Sequence, residues 1–127
     1  MKEYYVISVA HTLREHRYIT LWRPDDCGYC YRTISAGKYA EARVMSHLGY
    51  YNSGCSNIAV PVDIVDAMAR PGNPRDFDGI TLQMPVAVLL AVPNTGDNWR
   101  ELILNTIEPP AYKVQPEYPG ARRRKGE

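Results

Sequence analysis

The sequence predicts an α+β fold: a small antiparallel sheet with two to three short helices packed on it, followed by a disordered C-terminal tail. Three observations support this prediction. Aromatic and β-branched residues dominate the first third of the chain, apolar residues take helical spacing only after residue 37, and the last part combines prolines with a basic cluster. We therefore expect one globular α+β domain over residues 1–108 and a flexible, Pro-rich, basic tail over residues 109–127.

The first third of the chain carries the pattern of a β-hairpin. Residues 4–10 and 18–22 are short stretches of aromatic and β-branched residues, and the charged segment 14–17 between them suits a turn. A second turn is indicated at 23–28, where proline, aspartate and glycine stand in positions that turns use. Residues 29–34 then return as a third strand.

Helical spacing first appears in the middle of the chain. Apolar residues at three-residue steps predict a helix over 38–48, which Gly49 ends. A loop rich in glycine, asparagine and serine is expected over 49–57. A short strand at 58–60 and a second helix ending near Arg70 follow.

The C-terminal half is less regular. Residues 71–76 are expected to form a loop, and residues 80–92 are compatible with either a strand or a buried helix, because Pro85 argues against an uninterrupted central strand. A last helix is predicted over 98–107, with Asp97 as its N-terminal cap.

The charge distribution argues against a nucleic-acid-binding domain. Residues 1–108 carry ten Lys and Arg against twelve Asp and Glu, whereas residues 109–127 carry five against two. Binding to a phosphate backbone needs clustered positive charge on the folded part, which this body lacks. The chain also has no apolar run of the roughly 18 residues that a membrane helix needs, and its N-terminus has no signal-peptide pattern. These features predict a cytoplasmic protein.

Cys27-Gly-Tyr-Cys30 is the most conspicuous short motif. A dithiol redox centre of this spacing needs a strand before it and a long helix after it, whereas here a turn precedes and a predicted strand follows. The same pair, with His47 and Cys55, offers the ligand types of a Cys₃His zinc site, but the downstream spacing fits no standard zinc module. Three reduced cysteines are the alternative, and we predict no cofactor and no metal.

No catalytic motif is recognisable. His11, His16 and His47 are candidate general bases and the chain has several serines, but no nucleophile elbow or phosphate-binding glycine loop surrounds them. We therefore expect a non-catalytic protein.

The residues that remain are typical of ligand recognition. Tryptophan and tyrosine stack on bases, arginine binds phosphate with a forked set of donors, and asparagine reads base edges. Consecutive tyrosines in a glycine-rich loop cannot easily both face inward, so residues 50–53 are predicted to form a contact loop. The predicted ligand-binding residues are Trp22, Arg23, Arg32, Tyr50, Tyr51, Asn52 and Asn57.

Three stretches of the first half, residues 17–26 (RYITLWRPDD), 36–41 (AGKYAE) and 49–61 (GYYNSG through NIAVP), resemble those of small uncharacterised proteins encoded by phages and prophages of Gram-negative bacteria. The resemblance implies a phage product in the bacterial host cytoplasm, where small proteins counter host defence by binding. No functional residue is carried over from it.

The leading hypothesis is a counter-defence protein that sequesters a nucleotide-type immune signal. Two alternatives stay open: an inhibitor that binds a host defence protein, in the manner of an anti-CRISPR, and a small hydrolase acting on such a signal. The expected partner is a nucleotide-type ligand or a defence protein, with no membrane and no sequence-specific nucleic acid. A homo-oligomer is also expected, because a subunit interface offers a deeper pocket than one small domain encloses.

Overall fold

The computed structural model describes residues 2–77 and 84–122 and has an α+β architecture, which confirms the predicted fold class. The strands are, in chain order, β1 (Glu3–Ser8), β2 (Leu21–Trp22), β3 (Tyr29–Cys30), β4 (Tyr39–Ala40), β5 (Asn57–Pro61), β6 (Arg70–Pro71) and β7 (Leu90–Ala91). The helices are α1 (Glu41–Ser46), α2 (Leu48–Tyr51), α3 (Val62–Met68) and α4 (Gly96–Leu104). Short 3₁₀ turns occupy Pro24–Asp26, Thr33–Ser35, Pro74–Asp76 and Val86–Leu89.

Strand β1 is the centre of a five-stranded antiparallel sheet. β5 pairs with it along one edge, from Tyr4↔Pro61 to Ser8↔Asn57. β4 and β2 share the other edge, β4 near the start of β1 and β2 at Ile7↔Leu21. β3 continues the sheet beyond β2, so the hairpin and the third strand predicted from the sequence are confirmed, with shorter strands than expected.

β1 is buried on both faces because the sheet separates two hydrophobic layers. Tyr5 and Ile7 belong to the larger cluster, to which α3 and α4 contribute buried side chains such as Trp99. Tyr4 and Val6 point to the opposite face, where α1 and α2 pack. Alternate residues of a strand face opposite sides, so the unbroken apolar run of β1 is what a central strand with helices on both faces requires.

A smaller unit packs beside the main sheet. β6 and β7 pair with each other, and Ala91 of β7 forms an isolated bridge with Arg32. Around them a third apolar cluster contains Phe77 and Leu89, with Tyr31 packed against it. The chain after β3 and the segment that ends at Phe77 are thereby held close together.

The helix predicted over 38–48 is wrong at its start. Tyr39 lies in β4, where it pairs with Tyr4 and is 3% exposed, so α1 begins only at Glu41. Tertiary pairing overrides the helical spacing there. The loop predicted over 49–57 is also wrong in its first part, because α2 includes both Tyr50 and Tyr51.

The remaining elements have the predicted type, helix or strand, but their boundaries differ from the predicted ones. The strand predicted at 58–60 and the helix after it are confirmed as β5 and α3. α4 is confirmed too, but its cap is Thr95, whose hydroxyl oxygen accepts the N–H of Asn98 at 3.2 Å, and not Asp97. Of the ambiguous segment 80–92, residues 80–83 lie outside the described residues and β7 is a short strand.

The chain beyond residue 108 keeps contact with the body. The N–H of Tyr112 donates to the carbonyl of Ser53 at 3.0 Å, and Val114 is buried in the larger cluster. Further on, Glu117 forms a 2.8 Å ion pair with Arg14. Contacts with the domain thus continue past the boundary that composition suggests. Within the described part of the chain, no helix is both long enough and apolar enough to cross a membrane.

Candidate functional site

A cleft of about 490 Å³ opens where the loop after β1, the β2–β3 hairpin and the 3₁₀ turn before Phe77 meet. Its volume lies within the range of small-ligand sites. The lining combines positive, aromatic and imidazole side chains. The lining residues are Ala10, His11, Leu13, His16, Thr20, Arg23, Tyr29, Cys30, Tyr31, Arg32, Ser35, Asp76 and Phe77.

Two arginines give the cleft its charge. The Nε of Arg23 donates to the carbonyl of Tyr29 at 3.1 Å, and its two terminal amino groups have no hydrogen-bond partner among the described residues. Arg32 donates through Nη1 to the carbonyl of Val88 at 3.2 Å, and its guanidinium lies 5.7 Å from the ring centroid of Phe77. Each arginine is therefore held in place by one side-chain hydrogen bond while other N–H groups stay available for an anion.

The carboxylate of Asp76 lines the cleft but is already engaged. It accepts the hydroxyl hydrogen of Tyr18 at 2.6 Å and lies 3.6 Å from a terminal nitrogen of Arg17. Burial, and to a lesser extent this hydrogen bond, raises the pKa of Tyr18, which keeps its hydroxyl a donor to Asp76. The arrangement leaves the cleft with an excess of positive charge.

Two histidines stand in the cleft in fixed orientations. His11 Nδ1 is 3.1 Å from the hydroxyl of Ser8 and its Nε2 is 3.2 Å from the hydroxyl of Tyr29, so both ring nitrogens have partners. His16 Nδ1 accepts the N–H of Leu13 at 3.1 Å, which leaves Nε2 as the ring donor. Ser8 itself is 0% exposed and is not accessible as a nucleophile.

An aromatic row runs from the cleft across the outer surface of β2 and β3. It consists of His11, Tyr29, Trp22 and Tyr50, whose successive ring centroids are 4.2, 4.4 and 6.2 Å apart. Buried Asn57 holds the row from beneath, because its Oδ1 accepts the indole N–H of Trp22 at 2.8 Å and its Nδ2 donates to the carbonyl of Tyr50 at 3.0 Å. Tyr50 is 46% exposed, so it presents its ring to solvent.

Three of the predicted contact residues, Tyr51, Asn52 and Asn57, are buried instead. Tyr51 is 4% exposed, and its hydroxyl donates to Asp26 and accepts from Arg43 Nε, both at 3.0 Å. Asn52 donates to the carbonyl of Glu108 at 2.8 Å and accepts the N–H of Ala59 at 3.1 Å. The polar groups of Tyr51, Asn52 and Asn57 therefore form hydrogen bonds within the protein. Of the seven predicted site residues, Arg23 and Arg32 come together in the cleft, and Trp22 and Tyr50 lie side by side on the aromatic row.

All three cysteines are free thiols, and they differ in burial. Burial raises the pKa of the Cys30 thiol to about 11, so at neutral pH it is protonated. Cys27 and Cys55 are exposed free thiols. Across residues 2–77 and 84–122, no three His, Cys, Asp or Glu side chains are placed to hold a metal ion, so Cys27, Cys30, His47 and Cys55 are not assembled into a site.

Comparisons with protein-family models, curated proteins and solved structures found no match to this chain.

The predicted ligand-binding set does not include His11, His16, Tyr29 and Phe77, and the sequence indicates the two histidines only as candidate general bases. The first two stand in the loop between β1 and β2, and His11 of that loop stacks on Tyr29 of β3 with ring centroids 4.2 Å apart. A signal was present in the sequence, because the predicted hairpin brings its own connecting loop next to the following turn.

Proposed function

We propose that this protein binds a nucleotide-type ligand in the cleft and sequesters it without converting it. The observation that carries the proposal is the position of Arg23, whose terminal amino groups have no partner among the described residues and which lies beside Tyr29, at the cleft end of an exposed aromatic row. Arginine donors and aromatic faces are the two elements that nucleotide recognition needs, and here they share one cleft.

The state of the other polar groups supports sequestration over catalysis. Ser8 is buried, the Cys30 thiol is protonated at neutral pH, and Asp76 is occupied by Tyr18 and Arg17. An activated nucleophile needs an adjacent base and access to the substrate, and none of these three groups has both.

The phage resemblance supplies the biological setting of the proposal. In that setting the ligand is an immune signalling nucleotide, and the protein lowers its free concentration in the host cytoplasm. Each site removes only one ligand molecule, so sequestration requires high affinity. A closed homo-oligomer with a deeper site at its subunit interface raises that affinity.

The two histidines of the cleft favour a second candidate, a small phosphoester hydrolase. His11 and His16 stand in the same cleft as Arg23 and Arg32, and an acid and a base beside positive charge are what phosphoester cleavage uses. Turnover of a nucleotide that is abolished in both His11→Ala and His16→Ala establishes this reading in place of sequestration.

The first experiment is native mass spectrometry of the protein purified from its host, followed by heat denaturation and analysis of what is released. A nucleotide recovered unchanged, in proportion to subunits, supports sequestration, and the same spectrum gives the number of subunits. An empty protein that forms a stable complex with a host defence protein supports the inhibitor alternative.

Calorimetry with a panel of mononucleotides and of linear and cyclic oligonucleotides then tests the cleft itself. We expect Arg23→Ala to weaken binding roughly 10- to 150-fold, since a hydrogen bond to a charged group contributes about 1.5–3 kcal/mol. Arg100→Ala is the matched control, because Arg100 is an exposed arginine that lines a different groove, beside α4. Absence of binding to every member of the panel contradicts the proposal.

A further inference from the structure

The aromatic row is longer than one base. Trp22 separates Tyr29 from Tyr50, and its ring centroid is 4.4 Å from that of Tyr29 and 6.2 Å from that of Tyr50. A single base lying in the cleft beside Tyr29 therefore leaves Tyr50 uncovered.

The far end of the row is exposed to solvent at Tyr50. Tyr50 and Tyr29 are 46% and 38% exposed, whereas the neighbouring Tyr51 is 4% exposed. Trp22 lies between the two exposed tyrosines, with its indole N–H fixed by Asn57 at 2.8 Å. The orientation of the indole is thus set before any ligand arrives, which reduces the ordering cost of stacking on it.

The charges around the row are consistent with a phosphate between two stacked bases. Arg23 follows Trp22 directly in the chain and its terminal amino groups have no partner among the described residues. Arg43, by contrast, is fully used, since it pairs with Asp25 and Asp26 and donates to Tyr51. Free positive charge therefore lies at the cleft end of the row, next to the step from Tyr29 to Trp22.

We infer that the ligand is a dinucleotide-type molecule, with one base in the cleft beside Tyr29 and a second base on Trp22 and Tyr50. This inference rests on the proposed function and adds the ligand class to it. Linear and cyclic dinucleotides share this chemistry, since both have two bases joined through phosphate.

The test compares three probes, adenosine monophosphate, a linear 5′-phosphorylated diadenosine dinucleotide and cyclic diadenosine monophosphate, by calorimetry and tryptophan fluorescence. A change of emission on binding reports on Trp22, because the other tryptophan, Trp99, is 1% exposed and lies in the core away from the row. We expect at least one dinucleotide to bind more tightly than the mononucleotide and to change the emission. The one that binds more tightly identifies the linear or the cyclic source.

The decisive variant is Tyr50→Ala. It should weaken the preferred dinucleotide roughly 5- to 150-fold, the equivalent of about 1–3 kcal/mol for one stacked base, and leave mononucleotide affinity unchanged. Tyr112→Ala is the matched control, since Tyr112 is a 65% exposed tyrosine outside the row, and it should change neither affinity.

Two results overturn the inference while the proposed function stands: equal affinity for all three probes, or an equal loss of mononucleotide and dinucleotide binding in Tyr50→Ala. Absence of binding to any probe overturns the proposed function and this inference with it.

Discussion

The docking of the chain after residue 108 on the body makes a sharp prediction about Gly54. Its φ is +95°, and a Cβ added there meets the carbonyl oxygen of Tyr112 and comes within 2.8 Å of the side chain of Pro110. Gly28 has nearly the same φ, +96°, but a Cβ added there meets nothing within 4 Å. The two positions share the backbone strain and differ in the steric conflict.

We therefore expect Gly28→Ala to cost about 1–2 kcal/mol of unfolding free energy, the penalty of the left-handed region for an L-residue. Gly54→Ala carries the same penalty and in addition displaces the segment around Tyr112. That displacement loses the hydrogen bond to Ser53, about 0.5–1.5 kcal/mol, and part of the burial of Val114, about 1.5–3 kcal/mol when complete. The expected excess for Gly54→Ala over Gly28→Ala is about 1–3 kcal/mol.

Urea unfolding of the two variants and the wild type measures this difference. A second readout locates it: trypsin should cleave after Lys113 faster in Gly54→Ala, since Lys113 lies between the docked Tyr112 and the buried Val114. Equal unfolding free energies for the two variants, with unchanged cleavage after Lys113, refute the reasoning that this segment is packed on the body.

Two more predictions concern single side chains. Tyr51→Phe removes the hydroxyl between Asp26 and Arg43 and should lower the free energy of unfolding, measured in urea, by about 1–2 kcal/mol, a value reduced because Asp26 is partly exposed. The control Tyr112→Phe should leave the free energy of unfolding unchanged. Equal effects of the two substitutions contradict this prediction. At pH 7.5 iodoacetamide should alkylate Cys55 well before Cys30, as read by peptide mass spectrometry. The hydroxyls of Ser53 and Ser56 lower the pKa of Cys55, whereas burial raises the pKa of Cys30 to about 11. The reactive thiolate therefore forms at lower pH on Cys55. Alkylation of Cys30 before Cys55 contradicts this prediction.

The elements that could be predicted from the sequence are those that local pattern determines. β1 and β5 are short runs of β-branched and aromatic residues, and α3 and α4 combine start signals with helical spacing. Tyr39 shows where this information ends. Its spacing fits a helix, but pairing with Tyr4 across the sheet places it in a strand, and such long-range pairing has no local signal.

The cleft was harder to predict than the fold because its walls come from distant parts of the chain. Arg23 and Arg32 were selected on chemistry alone, and the structure brings them into one cleft. Phe77 joins them only through the packing of the small β6–β7 unit. The asparagines show the opposite effect: Asn52 and Asn57 have the side chains of base readers, and the structure uses both to satisfy buried backbone and indole groups.

The burial of Asn57 and the exposure of the aromatic row depend on each other. Asn57 opens β5 and pairs with Ser8 at the end of β1, and the hydroxyl of Ser8 is in turn 3.1 Å from His11. The ring at one end of the row and the indole of Trp22 are therefore both positioned from the most buried strand pair of the molecule. Surface rings normally lose side-chain entropy when a ligand orders them, about 0.5–1.5 kcal/mol for each. His11 and Trp22, whose rings are held from beneath in this way, have lost most of that freedom on folding, so they add little ordering cost to the proposed stacking.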